Sequence, residues 1–324
     1  MNYENLIELF DLARRRYHLV GDRENGVVVG LELEGRFFTL FEGQVVNRVN
    51  EKAFSAPYDS KGELPLIPGG DTLWPSPEGT TLGYHYSTGK WRIPPSLINT
   101  RYQLVSSSQN TAVVRAFVDL VNNQGLGLPT IFERSISVFP KSNYLEVKVK
   151  DRIEYIGAKS IQKGEFLLAP WVLGQFVSGP GCFVVFSQTS AADVWDLYEP
   201  SDSKRKIVDG LWHVETDASQ RFQIGIAREV PWIEFHNPGL GLKVRRQAET
   251  ISQSESYIDI IDAPPPRQPS DKLLVRYSVY SDPSGFMEVE AVGGSPPRMT
   301  SGTAVSLSFT TTYSRIGEER CLQK

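Results

Sequence analysis

A chain of 324 residues, 40% of them hydrophobic and 11% aromatic, has enough apolar surface to bury a large core and excludes a disordered or fibrous class. Its formal net charge of −4 supplies no sustained positive field, which argues against nucleic acid and acidic membrane surfaces as partners. The two cysteines, Cys182 and Cys321, are too far apart for a disulfide framework or a zinc cluster, and His18, His85, His213 and His236 lack the spacing of paired ligands. No metal and no cofactor is therefore expected.

Taken in chain order, Leu6, Ile7, Leu9, Phe10, Leu12 and Ala13 recur at helical spacing and predict a short helix within 3–17. The chain opens without a basic stretch followed by an apolar run, and no window is apolar enough to cross a membrane, so the expectation is a cytoplasmic protein. From Gly26 the period changes to two or to continuous β-branched runs, and strands are predicted over 27–33, 37–41, 102–106, 111–121, 131–139 and 144–156. Leu145, Val147 and Val149 alternate with Glu146, Lys148 and Lys150, and the turn Pro140–Asn143 joins this half-buried strand to its predecessor as an antiparallel hairpin.

Between these strands lies Pro68–Trp91, in which Gly69, Gly70, Gly79, Pro68, Pro75 and Pro77 predict a loop rather than a helix or central strand. It carries Asp71, Trp74, Glu78, Tyr84, His85, Tyr86, Lys90 and Trp91. Rings interleaved with polar groups suit a sugar, which offers C–H faces for stacking and hydroxyls for directed hydrogen bonds. The same residues also suit a capping loop whose indoles close one end of a core, and the sequence leaves both readings open.

Further strands are predicted over 166–168, 183–188, 192–198, 210–215, 221–227, 232–237, 257–261, 272–281, 286–292 and 304–313, with almost no helix between them. Such a succession argues for packed antiparallel sheets. The run Ala263–Pro269 is read as a crossover loop, because the strand pattern continues on both sides of it. The expected organisation is a helical appendage over 1–20 and one β domain over 21–324.

Three stretches resemble the galactose mutarotase-like, or aldose 1-epimerase-like, proteins, and in particular a branch with a Gly-Gly-x-x-Leu-Trp-x-x-Pro-Glu motif. They are Gly69–Glu78; Phe132–Gly157 continuing to Leu168-Ala-Pro170-Trp171; and Phe286-Met-Glu288-Val-Glu290. The resemblance implies an all-β fold, a large antiparallel β-supersandwich whose concave face binds a small-molecule carbohydrate. The enzymes of the group interconvert anomers or epimers, which needs a base for the C1 hydroxyl and an acid for the ring oxygen. It implies that Glu288 is the base. Strand alternation puts Glu288 and Glu290 on one face, and two neighbouring carboxylates raise the pKa of one of them.

The family's histidine motif is absent, because Trp171 and Gln175 stand where that chemistry is expected, and neither transfers a proton at neutral pH. His85 and His213 are the substitute candidates for the catalytic acid. Asp71, Trp74, Glu78, Arg92, Arg134, Trp171, Gln175 and Glu290 are the candidate substrate-binding residues, the arginines for vicinal hydroxyls. Two alternatives to an epimerase follow from the missing histidine: a sugar-binding protein without catalysis, and a scaffold with a vestigial cleft.

Overall fold

The computed structural model describes residues 1–55, 67–98 and 100–317. Two ten-stranded antiparallel sheets dominate it. The first runs Tyr17–Gly21, Gly26–Gly30, Phe37–Phe41, Asp71–Ser76, Ala169–Val177, Phe286–Val292, Val275–Asp282, Phe222–Ala227 and Val194–Tyr198, with Gln44–Val45 added beside Phe37–Phe41. The second runs Arg205–Val208, Leu211–Glu215, Phe183–Ser187, Ile233–Asn237, Leu242–Ala248, Ala304–Arg315, Tyr144–Tyr155, Gly127–Pro140, Thr111–Val121 and Gln103–Ser107. This is the expected all-β sandwich, and the hairpin turning at Pro140–Asn143 is present, with Val138 opposite Val147.

The sheets face each other across one apolar layer. Val172, Phe176, Met287, Val289, Ile224 and Val279 of the first sheet meet Val147, Ile153, Val244, Leu307 and Phe309 of the second, all buried. Because side chains alternate along a strand, the residues between them point to the first sheet's other face. A helix, Tyr3–Leu12, covers one end of that face, with Leu6 and Phe10 packed on Val28, Phe38 and Leu40. Asn2 caps it in a reciprocal pair with Asn5. The helix is shorter than the 3–17 window, and Tyr17–Gly21 is already an edge strand. Cys182 is buried and unpaired, whereas Cys321 lies outside the described residues.

The expectation of a loop fails at its most informative point. Asp71–Ser76 is a strand in the middle of the first sheet, paired residue for residue with 169–174 of the strand Ala169–Val177. Its Pro75 is tolerated because Phe37–Phe41 pairs with this strand only at Asp71, so beyond that residue one flank needs no N–H. Opposite it, Pro170 lies just past Trp171, the last residue of its strand to pair with Phe286–Val292. The predicted strand over 257–261 is also absent. That segment makes only isolated bridges, Ser256 to Ser295 and Ile258 to Val275.

Candidate active site

Four adjacent strands build the site on the first sheet's outer face. Trp74 pairs with Trp171, and Gln175 pairs with Glu288, which in turn pairs with Tyr280. Met287 and Val289 enter the core, so Glu288 and Glu290 both point away from it, as the alternation predicts. The Trp74 and Trp171 rings meet edge to face at 6.2 Å. The Trp171 indole donates to Glu290 at 3.0 Å, and the Gln223 amide donates to the same carboxylate at 3.2 Å. Gln175 donates to Glu288 at 2.5 Å and accepts at 3.0 Å from Arg48, whose guanidinium lies 4.2 Å from the Phe286 ring centre.

Arg48 is brought here by the two glycines of the motif. Gly69 has φ +97°, and a Cβ on it would fall 1.9 Å from the Arg48 carbonyl oxygen, so only glycine lets the chain cross there. The Arg48 N–H then bonds the Gln175 carbonyl, and the Gln175 N–H bonds that of Gly70. Past the strand, the loop from Pro77 packs on the segment around Ala263, where Gly79 comes too close for any side chain. It carries Glu78, which accepts from the Trp91 indole at 2.5 Å, and Tyr86, which donates to Asp262 at 2.6 Å.

The carboxylates of this region share little positive charge. Burial pushes Glu288 up, and the Gln175 hydrogen bond with the charges of Arg36 and Arg48 offsets part of this. Burial drives Glu290 well above the usual carboxylate range, and the neighbouring Glu288 charge drives it further. Glu78 is likewise held well above that range by burial and by Asp262, with Glu288 adding to the rise and the Trp91 indole opposing it. Asp262 is raised by burial against the Tyr86 hydrogen bond.

His85 lies between indoles, 5.1 Å from the Trp74 ring and stacked at 5.8 Å on Trp91. Burial lowers it to about 3, against a smaller upward pull from the Arg92 backbone, so at neutral pH it is a neutral hydrogen-bonding ring and not a charged acid. Both its nitrogens, the Trp74 indole N–H and the Thr72 hydroxyl are buried without a well-formed hydrogen bond among the described residues.

Of the residues expected from sequence, Trp74, Glu78, His85, Trp171, Gln175, Glu288 and Glu290 come together. Asp71 and Arg134 do not: they sit between the sheets, where Arg134 bonds Asp71 at 2.9 Å and Asp151 at 2.8 Å, and Arg246 grips the other Asp71 oxygen. Both guanidinium groups are fully buried there and have no face free for a ligand. His213 is on the far side of the second sheet, stacked at 5.6 Å on Phe183, because its neighbour Val214 takes the core position. Arg92 is exposed beside Trp91, and its backbone N–H bonds the His85 carbonyl.

Arg48, Gln223 and Asp262 are the additions, and Trp91, one of the rings of the Pro68–Trp91 stretch, joins them at the site. A single amide in the otherwise apolar run Phe222–Ala227 was the signal for Gln223. Arg48 gives none, since its place depends on the crossing at Gly69.

The sequence matches the family of unknown function DUF6786 over residues 2–232. The chain belongs to that family. No curated protein matches it. Among solved structures, this DUF6786 protein is similar to an aldose 1-epimerase-like protein of Escherichia coli K12, with a TM-score of 0.57 at 11% identity, covering 93% of this chain and 99% of that one. It is also similar to the Slr1438 protein of Synechocystis sp. PCC 6803 (TM-score 0.53, 14% identity, 92% and 95% covered). A galactose mutarotase-like protein of Lactobacillus casei gives a TM-score of 0.52 at 10% identity, covering 92% and 100%. At these identities the likeness is one of fold, and the fold is galactose mutarotase-like.

Proposed function

We propose that the outer face of the first sheet binds a carbohydrate, and that Glu288 is the base of an aldose epimerase-like reaction at its anomeric carbon. The observation that carries this reading is the juxtaposition of an indole wall, Trp74 and Trp171, with a buried carboxylate pair and with unbonded polar atoms on Trp74, His85 and Thr72. Rings stack on the apolar face of a pyranose, and buried donors and acceptors left unpaired are matched by hydroxyls. Glu288 is held by Gln175, kept toward its ionised form by two arginines, and is slightly exposed where Glu290 is sealed, at 7% against 0%. It is therefore the carboxylate of the pair best able to take a proton from a bound sugar.

Catalysis-free sugar binding is the second reading, favoured by Trp171 and Gln175 occupying the positions where the resemblance places the imidazole chemistry. A thermal-shift screen with D-glucose, D-galactose, D-mannose, their 6-phosphates and D-glucuronate tests the shared part. A sugar present at 100 times its Kd stabilises the fold by about 2.7 kcal/mol. No shift with any of them contradicts the carbohydrate reading. Polarimetry with a bound sugar then separates the two: Glu288→Gln retains binding while anomerisation falls ~10²-fold or more. Wild type converting anomers no faster than buffer favours the binder.

A further inference from the structure

We propose that Glu78 is the proton-donating partner of Glu288, a carboxylic acid on the Pro77–Trp91 loop doing the work for which this chain lacks a histidine. The inference rests on the carbohydrate reading above and extends it to the second half of the chemistry. Neither histidine serves: His213 is on the other sheet's far face, and His85 is a neutral ring closed between Trp74 and Trp91. Glu78 emerges directly after the strand that carries Trp74, and one of its oxygens is fixed by the Trp91 indole. Like Glu288 it keeps a residual 7% exposure. The Trp91 ring that fixes it stacks on His85, which lies against Trp74 of the indole wall.

Their surroundings are opposite in kind, which is what separates an acid from a base at one pH. Glu288 has Arg36 and Arg48 nearby, whereas the charges that act on Glu78 are the carboxylates of Asp262 and Glu288. The step balances without a co-reactant. Glu288 takes the proton of the C1 hydroxyl as the bond from C1 to the ring oxygen breaks, and the Glu78 carboxyl protonates that oxygen. After rotation about C1–C2, the ring hydroxyl adds to the other face of the aldehyde, returning its proton to Glu78 while Glu288 gives one to the new C1 hydroxyl.

The test uses the panel aldose with the largest thermal shift, added as its α anomer and followed by polarimetry from pH 5 to 9. Wild type should outrun buffer and lose rate at alkaline pH as the acid ionises. Glu78→Gln should bind the sugar within about threefold of wild type, fall ~10²-fold in rate and lose the alkaline decline. Trp91→Phe removes a hydrogen bond that favours the ionised carboxylate, so its alkaline decline should move to higher pH. A Glu78→Gln protein with wild-type rate and profile overturns the proposal. So does a wild type that binds the sugar yet converts it no faster than buffer, which leaves the carbohydrate reading standing; a wild type that binds no panel sugar removes both. Should Glu78→Gln not fold, an unmoved alkaline limb in Trp91→Phe overturns it.

Discussion

Glu290 receives its hydrogen bonds from neutral donors, the Trp171 indole and the Gln223 amide, while the adjacent Glu288 charge repels its own. A carboxyl in that position holds its proton far above its ordinary value of 4.5. Folding then binds a proton that the unfolded chain has released, and the sign follows. The contribution is fully present below about pH 4.5 and is lost as pH rises through the raised native value, so stability declines with pH by up to ~1.4 kcal/mol per unit for each such group. Urea unfolding at pH 5 and pH 8 should show Glu290→Gln gaining on wild type at the higher pH. Parallel pH dependences in the two proteins would mean that Glu290 is not a proton-holding group. This residue was legible in the sequence, because Phe286, Glu288 and Glu290 alternate with Met287 and Val289. Its partner Gln223 was not, since a cross-strand contact between segments this distant leaves only the oddity of one amide among apolar neighbours.

The strand Asp71–Ser76 serves both faces of its sheet, sending Trp74 to the outer face and Asp71 to the core. Asp71 holds two buried arginines from the second sheet, Arg134 and Arg246, and Arg134 reaches Asp151 as well. Burial lifts Asp151 to about 6 despite the guanidinium beside it, a measure of how dry the site is. Removing one member of such a cluster leaves charge uncompensated, so Asp71→Ala should cost about 3–5 kcal/mol in urea unfolding. A loss below ~1 kcal/mol would place Asp71 outside the structural core. Glycines and prolines concealed this strand from sequence reasoning. Their usual message is a loop, and it was overridden by a register in which Pro75 faces an unpaired flank and Pro170 engages the chain beyond Val292 only through its carbonyl, which accepts from Gly293.

Across the whole molecule, alternation told which residues share a face of one strand, and that much was correct for the glutamates. It could not tell which sheet a strand enters. His213 and Arg134 come from strands with good patterns, yet both strands belong to the second sheet, one residue facing away from the sandwich and the other into its centre. The all-β class was legible because nearly every segment after Gly26 carries a period of two. The parts that flank the site, Arg48 and the contact of Gly79 with the Ala263 segment, depend on chain crossings that leave no periodic signature.

The six tryptophans sample both sheets and so report where a sugar binds. Trp74, Trp91 and Trp171 line the proposed cleft, whereas Trp212 stacks on Phe186 in the second sheet and Trp232 lies under Arg245. In a titration with the best-binding sugar, followed through the indole N–H resonances, the signals of Trp74, Trp91 and Trp171 should shift along one saturation curve while those of Trp212 and Trp232 stay fixed. Saturable shifts at Trp212 or Trp232, with Trp74 and Trp171 unmoved, would contradict the placement of the carbohydrate site.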